Sequence, residues 1–159
     1  MRDWVNEWMQ DGRLYVWRYP SPRKNSRGWH FTADPLGCRS IANLLDRMHG
    51  GAACHRTLHL EKVTDAILSV PNLGSRCSGH FAKLRIDYRP DAEDLAIKVE
   101  GDTLTMIVSP SRLRKIVAAF REVEIGMGDF AIDTAMDRKA EPWMFWWMPD
   151  ANLWNRKTK

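Results

Sequence analysis

Hydrophobic and polar residues alternate through the middle of the chain. In KLRIDY, residues 83–88, every second residue is apolar, and LAIKVEGDTLTMIV, residues 95–108, contains two further alternating runs. A period of two is typical of strands that bury one face. Gly101-Asp102 lies between the two runs, and a Gly-Asp pair in this position is a signal for a two-residue turn. The pattern therefore predicts three strands, the last two of them joined as a hairpin.

Two longer segments follow the spacing of amphipathic helices instead. Asp34-Pro35 and Ser109-Pro110 each place a capping residue before a proline, a combination that favours a helix start. The predicted buried face is Ile41, Leu44, Leu45 and Met48 in the first helix, and Leu113, Ile116, Val117 and Phe120 in the second. The predicted outer face of the second helix is Arg112, Arg114, Lys115 and Arg121. Gly50-Gly51 and the GMGD motif, residues 126–129, end the two helices.

Shorter segments complete the predicted fold. RLYVWRY and WHFTA are predicted to pair as strands on either side of a loop, HRTLHLEKV and FAID to form further strands, and TDAILSVPN to form a helical turn. Strands that follow one another in hairpins indicate an α+β fold. We expect one domain, residues 1–159, with a mainly antiparallel sheet of about six strands and two amphipathic helices packed on one face. A short docking helix within residues 1–11 and a polar, basic tail at residues 150–159 complete it.

The segment PWMFWWMP, residues 142–149, is apolar at every position between its two prolines. As a strand it would present apolar side chains on both faces, so it would be covered on both sides or leave one side for a partner. Because the run contains no charge, a buried closing strand is the favoured interpretation. Trp154, isolated among polar residues, is the tryptophan predicted to be exposed.

The composition and the cysteine content also indicate where in the cell the protein is located. Its 159 residues are 44% hydrophobic and 28% charged, which is typical of a globular domain. No signal peptide is visible at the N-terminus, and the longest apolar run has six residues, far below the roughly 20 of a membrane helix. Three cysteines without framework spacing favour reduced thiols. We therefore expect a cytoplasmic protein that does not enter a membrane.

Several segments resemble a group of small, uncharacterised bacterial proteins. They are FTADPLGC, RTLHLEKVTDAILSVPN, GDTLTMIV and GMGDFAI, followed by a tryptophan-rich end. The resemblance implies a bacterial cytosolic single domain. Its motifs are structural, so it implies no catalytic or binding residue.

Charge and aromatic residues point to one end of the first predicted hairpin. Residues 1–90 contain 14 Lys and Arg against 8 Asp and Glu, whereas residues 91–150 contain 7 against 12. Tryptophan and arginine are enriched at the centres of protein interfaces, and basic groups interleaved with aromatic rings also suit single-stranded nucleic acid. The candidate binding residues are Trp17, Arg23, Lys24, Arg27 and Trp29, followed by Trp147 and Trp154. The alternative is that these residues shape the core and solvated loops.

The cysteine and histidine residues give little indication of a metal site or a catalytic nucleophile. Cys77 and His80 are weak candidates for a metal site, but no paired C-x-x-C motif accompanies them, so no metal and no cofactor is predicted. No nucleophile signature surrounds any Ser or Cys. Cys38 follows the spacing of the first helix's buried face and is predicted to lie in the core.

These observations favour a non-enzymatic protein that binds another macromolecule. The leading prediction is a protein partner, as for a bacterial regulatory or immunity-type protein. The first alternative is a single-stranded nucleic-acid binder that uses the hairpin between Trp17 and Trp29. The second is a hydrolase-like enzyme with a Cys/His site assembled in space. Oligomeric state is not predicted.

Overall fold

The computed structural model describes residues 2–20, 23, 26–137 and 139–149, with side chains from Trp4 onward. Its helices are α1 (Arg2–Asn6), α2 (Pro35–Met48), α3 (Asp65–Ser69) and α4 (Pro110–Glu124). Its strands are β1 (Leu14–Trp17), β2 (Trp29–Ala33), β3 (Cys54–His59), β4 (Lys83–Tyr88), β5 (Ala96–Glu100), β6 (Thr103–Val108), β7 (Phe130–Ile132) and β8 (Trp143–Phe145). The predicted α+β class is confirmed.

The prediction of a single, mainly antiparallel sheet of about six strands is wrong. The strands form two sheets of four, ordered β1-β2-β8-β7 and β3-β4-β6-β5, and each sheet contains one parallel pair, β2 with β8 and β4 with β6. Alternation reveals which face of a strand is buried but not which strand lies beside it. The two predicted hairpins are confirmed, because β1 pairs antiparallel with β2 and β5 with β6.

The predicted start of α2 is confirmed in atomic detail. The Asp34 carboxylate accepts hydrogen bonds from the backbone N–H of Gly37 at 2.7 Å and of Arg13 at 2.9 Å. One side chain therefore both caps the helix and ties it to the segment that leads into β1. Helix α4 also begins with a proline, but the Ser109 side chain makes no capping bond.

Helices α2 and α4 pack against each other and against the first sheet. Ion pairs between Arg39 and Glu124 (3.4 Å) and between Arg121 and Asp46 (3.2 Å) join their outer surfaces. The predicted inner faces are buried, as is Cys38. Arg112 was expected on the outer face of α4 but is buried, because its guanidinium donates to the backbone carbonyls of Glu93 (3.3 Å) and Asp133 (2.9 Å).

The first sheet is covered on both faces. Alternate residues of β8, Trp143 and Phe145, join the main core with α2, α4 and the inner face of the second sheet. On the opposite face, a smaller aromatic core consists of Tyr15, Trp17, Tyr19, Ile67, Leu68 and Trp146. This arrangement confirms the buried closing strand. The strand is shorter than the apolar run, however, because it ends at Phe145.

Helix α1 is only partly docked. Val5 and Trp8 are buried, and the indole N–H of Trp8 donates to the Ser40 carbonyl at 2.8 Å. Trp4 is 54% exposed and lies under the Arg47 guanidinium, which is 4.2 Å from its ring centre. The N-terminal segment is thus anchored by Val5 in the helix and by Trp8 just after it.

Candidate binding clefts

The two tryptophans of the first hairpin are buried. Trp17 is 1% exposed and belongs to the small aromatic core, and Trp29 is 6% exposed and belongs to the main core. The Arg18 guanidinium lies 4.9 Å above the Trp29 ring, and Phe81 contacts that ring edge-on. Neither indole offers a free face to a ligand in this conformation.

A tight turn holds Arg23 at the end of the hairpin. The backbone N–H of Ser26 donates to the Arg23 carbonyl at 3.0 Å, and the Ser26 hydroxyl accepts from the Arg23 N–H at 2.9 Å. Ser26 is buried while Arg23 is exposed. Lys24, another predicted contact residue, lies outside the described residues. Two hydrogen bonds thus join the backbone of Arg23 to a buried residue, while the Arg23 side chain is exposed to solvent.

Buried His30 is hydrogen-bonded to Ser26 of this turn. The Trp146 indole N–H can only donate, so Nδ1 of His30 accepts its hydrogen bond at 3.0 Å. Nε2 therefore carries the proton and donates to the Ser26 carbonyl at 3.0 Å. The rings of Trp17 and Trp146 stack beside the imidazole. Burial lowers the pKa of His30 to about 4, although the bond to Ser26 opposes this shift.

Arg23 lines a polar cleft of about 450 Å³ between the hairpin turn and a nearby loop. We call this the basic cleft. Its lining residues are Tyr19, Pro20, Arg23, Ser26, Leu73, Gly74, Ser75 and Arg76. Both arginines are exposed, and neither forms an ion pair with any carboxylate in the described part of the chain. Among the described residues, the lining contains two cations and no anion, so its electrostatic field favours a negatively charged ligand.

The wall of the basic cleft packs closely. A Cβ atom added at Gly74 would lie 2.9 Å from Cδ1 of Tyr19, so glycine allows the loop to lie against the tyrosine ring. Burial raises the pKa of Tyr19, and this effect exceeds the opposing one of a hydrogen bond with Trp17. The Tyr19 hydroxyl is buried, and the tyrosine ring forms the wall of the cleft.

The remaining predicted contact residues lie elsewhere or are occupied. Arg27 is half-buried, and its guanidinium donates to the Lys139 carbonyl at 3.4 Å. Trp147 is half-buried at the edge of the small aromatic core, where its ring contacts Trp146 edge-on. Trp154, predicted to be exposed, lies outside the described residues. The structure thus brings Arg23 and Arg76 to one cleft, and Trp17, Trp29 and Trp147 are not among its lining residues.

A second cleft, of about 480 Å³, contains both of the weak metal candidates. Cys77 and His80 line it with Asp102, and its apolar lining includes Trp17 and Phe81. Burial raises the pKa of the Cys77 thiol, which disfavours the thiolate required of a nucleophile or a metal ligand. Across the residues that the structure describes, no three His, Cys, Asp or Glu side chains lie together as a metal-binding group.

Sequence reasoning missed half of the basic cleft. Arg76 lies in SRCSG, residues 75–79, which the sequence indicates only as a plain loop. Its position beside the hairpin depends on the hydrogen bond from the Ser78 N–H to the Arg18 carbonyl at 2.7 Å, and no local pattern encodes that contact. His30 was missed too, because a histidine inside an aromatic strand resembles any other core residue.

No helix in the described ranges is long and apolar enough to cross a membrane. Comparison of the chain with protein-family models, with curated proteins and with solved structures gave no match. The resemblance to small bacterial proteins stays a prediction.

Proposed function

We propose that this is a non-enzymatic binding protein of a bacterial cytoplasm, of regulatory or immunity type, which recognises an acidic surface on another protein through the basic cleft. The observation that supports the proposal is the pair of exposed arginines, Arg23 and Arg76, in a cleft whose described lining residues include no carboxylate. Arginine is enriched at the centres of protein interfaces and pairs with carboxylates through two parallel hydrogen bonds.

The hydrogen bonds at Arg23 support this proposal. The backbone N–H of Arg23 donates to Ser26, whose carbonyl accepts from buried His30. Bonds of this kind, present before binding, reduce the entropy lost on association. An arginine presented in this way contributes more affinity than one on a free loop.

Single-stranded nucleic acid is the weaker alternative. Base stacking requires exposed aromatic faces, and the rings of Trp17 and Trp29 are covered. The acidic balance of residues 91–150 also opposes an extended polyanion. The alternative retains the cations of the basic cleft but lacks the stacking surface.

The hydrolase-like alternative keeps one specific observation in its favour. Cys77, His80 and a carboxylate, Asp102, line a common cleft. The raised pKa of the thiol argues against a nucleophile there. Binding through the basic cleft therefore remains the function that the geometry supports best.

A charge-matched pair of variants tests the proposal. R23A/R76A removes the two cations of the basic cleft, whereas R114A/K115A removes two exposed cations from the outer face of α4. Both variants and the wild type would be used to capture partners from a bacterial lysate, with and without nuclease treatment, and captured proteins would be quantified by mass spectrometry. We expect acidic proteins to be captured by the wild type and by R114A/K115A but lost with R23A/R76A.

Two results would contradict this function. Equal capture by R23A/R76A and the wild type would show that the basic cleft binds no protein partner. Capture that disappears only after nuclease treatment would assign the cleft to nucleic acid instead.

A further inference from the structure

We infer that the basic cleft binds a phosphomonoester group carried by a side chain of the partner protein. This inference rests on the proposed function and specifies the chemistry of the acidic group that the cleft recognises.

The charge of the cleft matches a dianion. Arg23 and Arg76 supply two positive charges that form no ion pair with the described carboxylates, and each guanidinium has five N–H donors. A phosphomonoester has a charge of about −1.5 to −2 at neutral pH and three strong acceptor oxygens. A single carboxylate has one negative charge and two oxygens, so it would leave one guanidinium unneutralised.

An exposed hydroxyl group adds to the match. Ser75 is exposed on the loop beside Arg76 and lines the cleft. A serine hydroxyl can donate to a phosphate oxygen and adds no negative charge to the cleft.

The size of the cleft indicates that the phosphate is attached to something larger. A phosphate group fills only a small part of 450 Å³. Leu73 and Pro20 provide apolar lining beside the arginines, which suits the side chain that bears the phosphate. A nucleic-acid phosphodiester fits less well, because it has a single negative charge. The bases of a nucleic acid also could not stack on the nearby tryptophan rings, because these rings are buried.

Titration with short peptides tests the inference. The probes are an acetylated and amidated Gly-phosphoserine-Gly tripeptide, the same tripeptide with phosphotyrosine, the tripeptide with glutamate in place of the phosphorylated residue, and inorganic phosphate. Binding would be followed by the shifts of the backbone amide resonances of Gly74, Ser75 and Arg76 in NMR spectra. We expect saturable shifts with at least one phosphorylated peptide, and affinity for it about tenfold or more weaker in R23A/R76A.

Three comparisons make the test decisive. R114A/K115A should bind the phosphorylated peptide as the wild type does, and R23K/R76K should bind it more weakly, because lysine keeps the charge but loses the paired donors. Equal affinity for the glutamate peptide would overturn the inference, as would equal losses in R23A/R76A and R114A/K115A. If neither phosphorylated peptide binds while protein capture still depends on the two arginines, the inference fails and the proposed function stands.

Discussion

His30 links the buried interior to the surface turn that bears Arg23. It accepts from Trp146 and donates to Ser26, so its two ring nitrogens fix one neutral tautomer. A second proton, on Nδ1, would point at the Trp146 N–H, so two donors would face each other and this hydrogen bond would be lost. The imidazole thus stabilises the hairpin only while it remains neutral.

Stability should therefore fall as the pH is lowered from about 6.5 to about 4. In this range the unfolded chain binds a proton at His30 and the folded protein, with its pKa of about 4, does not. The difference of about 2.5 pKa units corresponds to a loss of about 3 kcal/mol in the free energy of unfolding. Urea unfolding of the wild type and of H30Q at pH 7, 6, 5 and 4 would measure it.

H30Q provides the matched control because glutamine can accept and donate through one neutral amide. Between pH 6.5 and 4, the free energy of unfolding of H30Q should fall by about 3 kcal/mol less than that of the wild type. Parallel pH profiles for the two proteins would refute the role of His30, whatever the absolute stability of the variant.

At the scale of elements, the two long helices begin with similar sequences and different contacts. Asp34-Pro35 and Ser109-Pro110 both predict a capped start, and both helices do begin there. Only Asp34 makes the capping bond, whereas the Ser109 hydroxyl is buried without a partner among the described residues. Sequence can place the start of a helix, but the hydrogen bond depends on a rotamer set by the surrounding packing.

Alanine at the two caps should consequently change stability to different extents. D34A removes bonds to Gly37 and Arg13 and should lower the free energy of unfolding by about 1–2 kcal/mol. S109A removes a hydroxyl that bonds to nothing in the described structure, so stability should stay the same or rise slightly. Chemical denaturation of both variants would show this difference, and equal losses would contradict it.

Across the whole molecule, local pattern predicted the elements better than their arrangement. Alternation identified β4, β5 and β6, and the apolar run around Trp143 and Phe145 identified a buried strand. The division into two sheets depends on the parallel pairs of β2 with β8 and β4 with β6. These pairs join distant segments, and no short-range signal specifies them. Arg76 was missed from the basic cleft for the same reason.

Phe145 lies where the helices meet the first sheet. Its ring stacks on those of Phe31 and Phe130, at 4.9 and 5.8 Å between centroids, and meets Phe120 of α4 edge-on at 5.3 Å. F145A should lower the free energy of unfolding by about 3–5 kcal/mol, because it leaves a cavity among three aromatic rings. M136A, at a side chain that is 91% exposed, is the control and should change stability by less than about 0.5 kcal/mol. Thermal unfolding would compare the two variants, and similar midpoints would show that Phe145 is not central to the core.

The position of β8 also sets an order for folding during synthesis. Trp143 follows the end of β2 by 110 residues, yet β8 lies between β2 and β7 and is hydrogen-bonded to both. While the ribosome makes the intervening segment, the edge of the first hairpin that later binds β8 has no strand beside it. Unpaired strand edges promote association between chains, and pairing over long sequence separations slows folding. The tryptophan-rich segment near the C-terminus thus closes an edge through which nascent chains would otherwise aggregate.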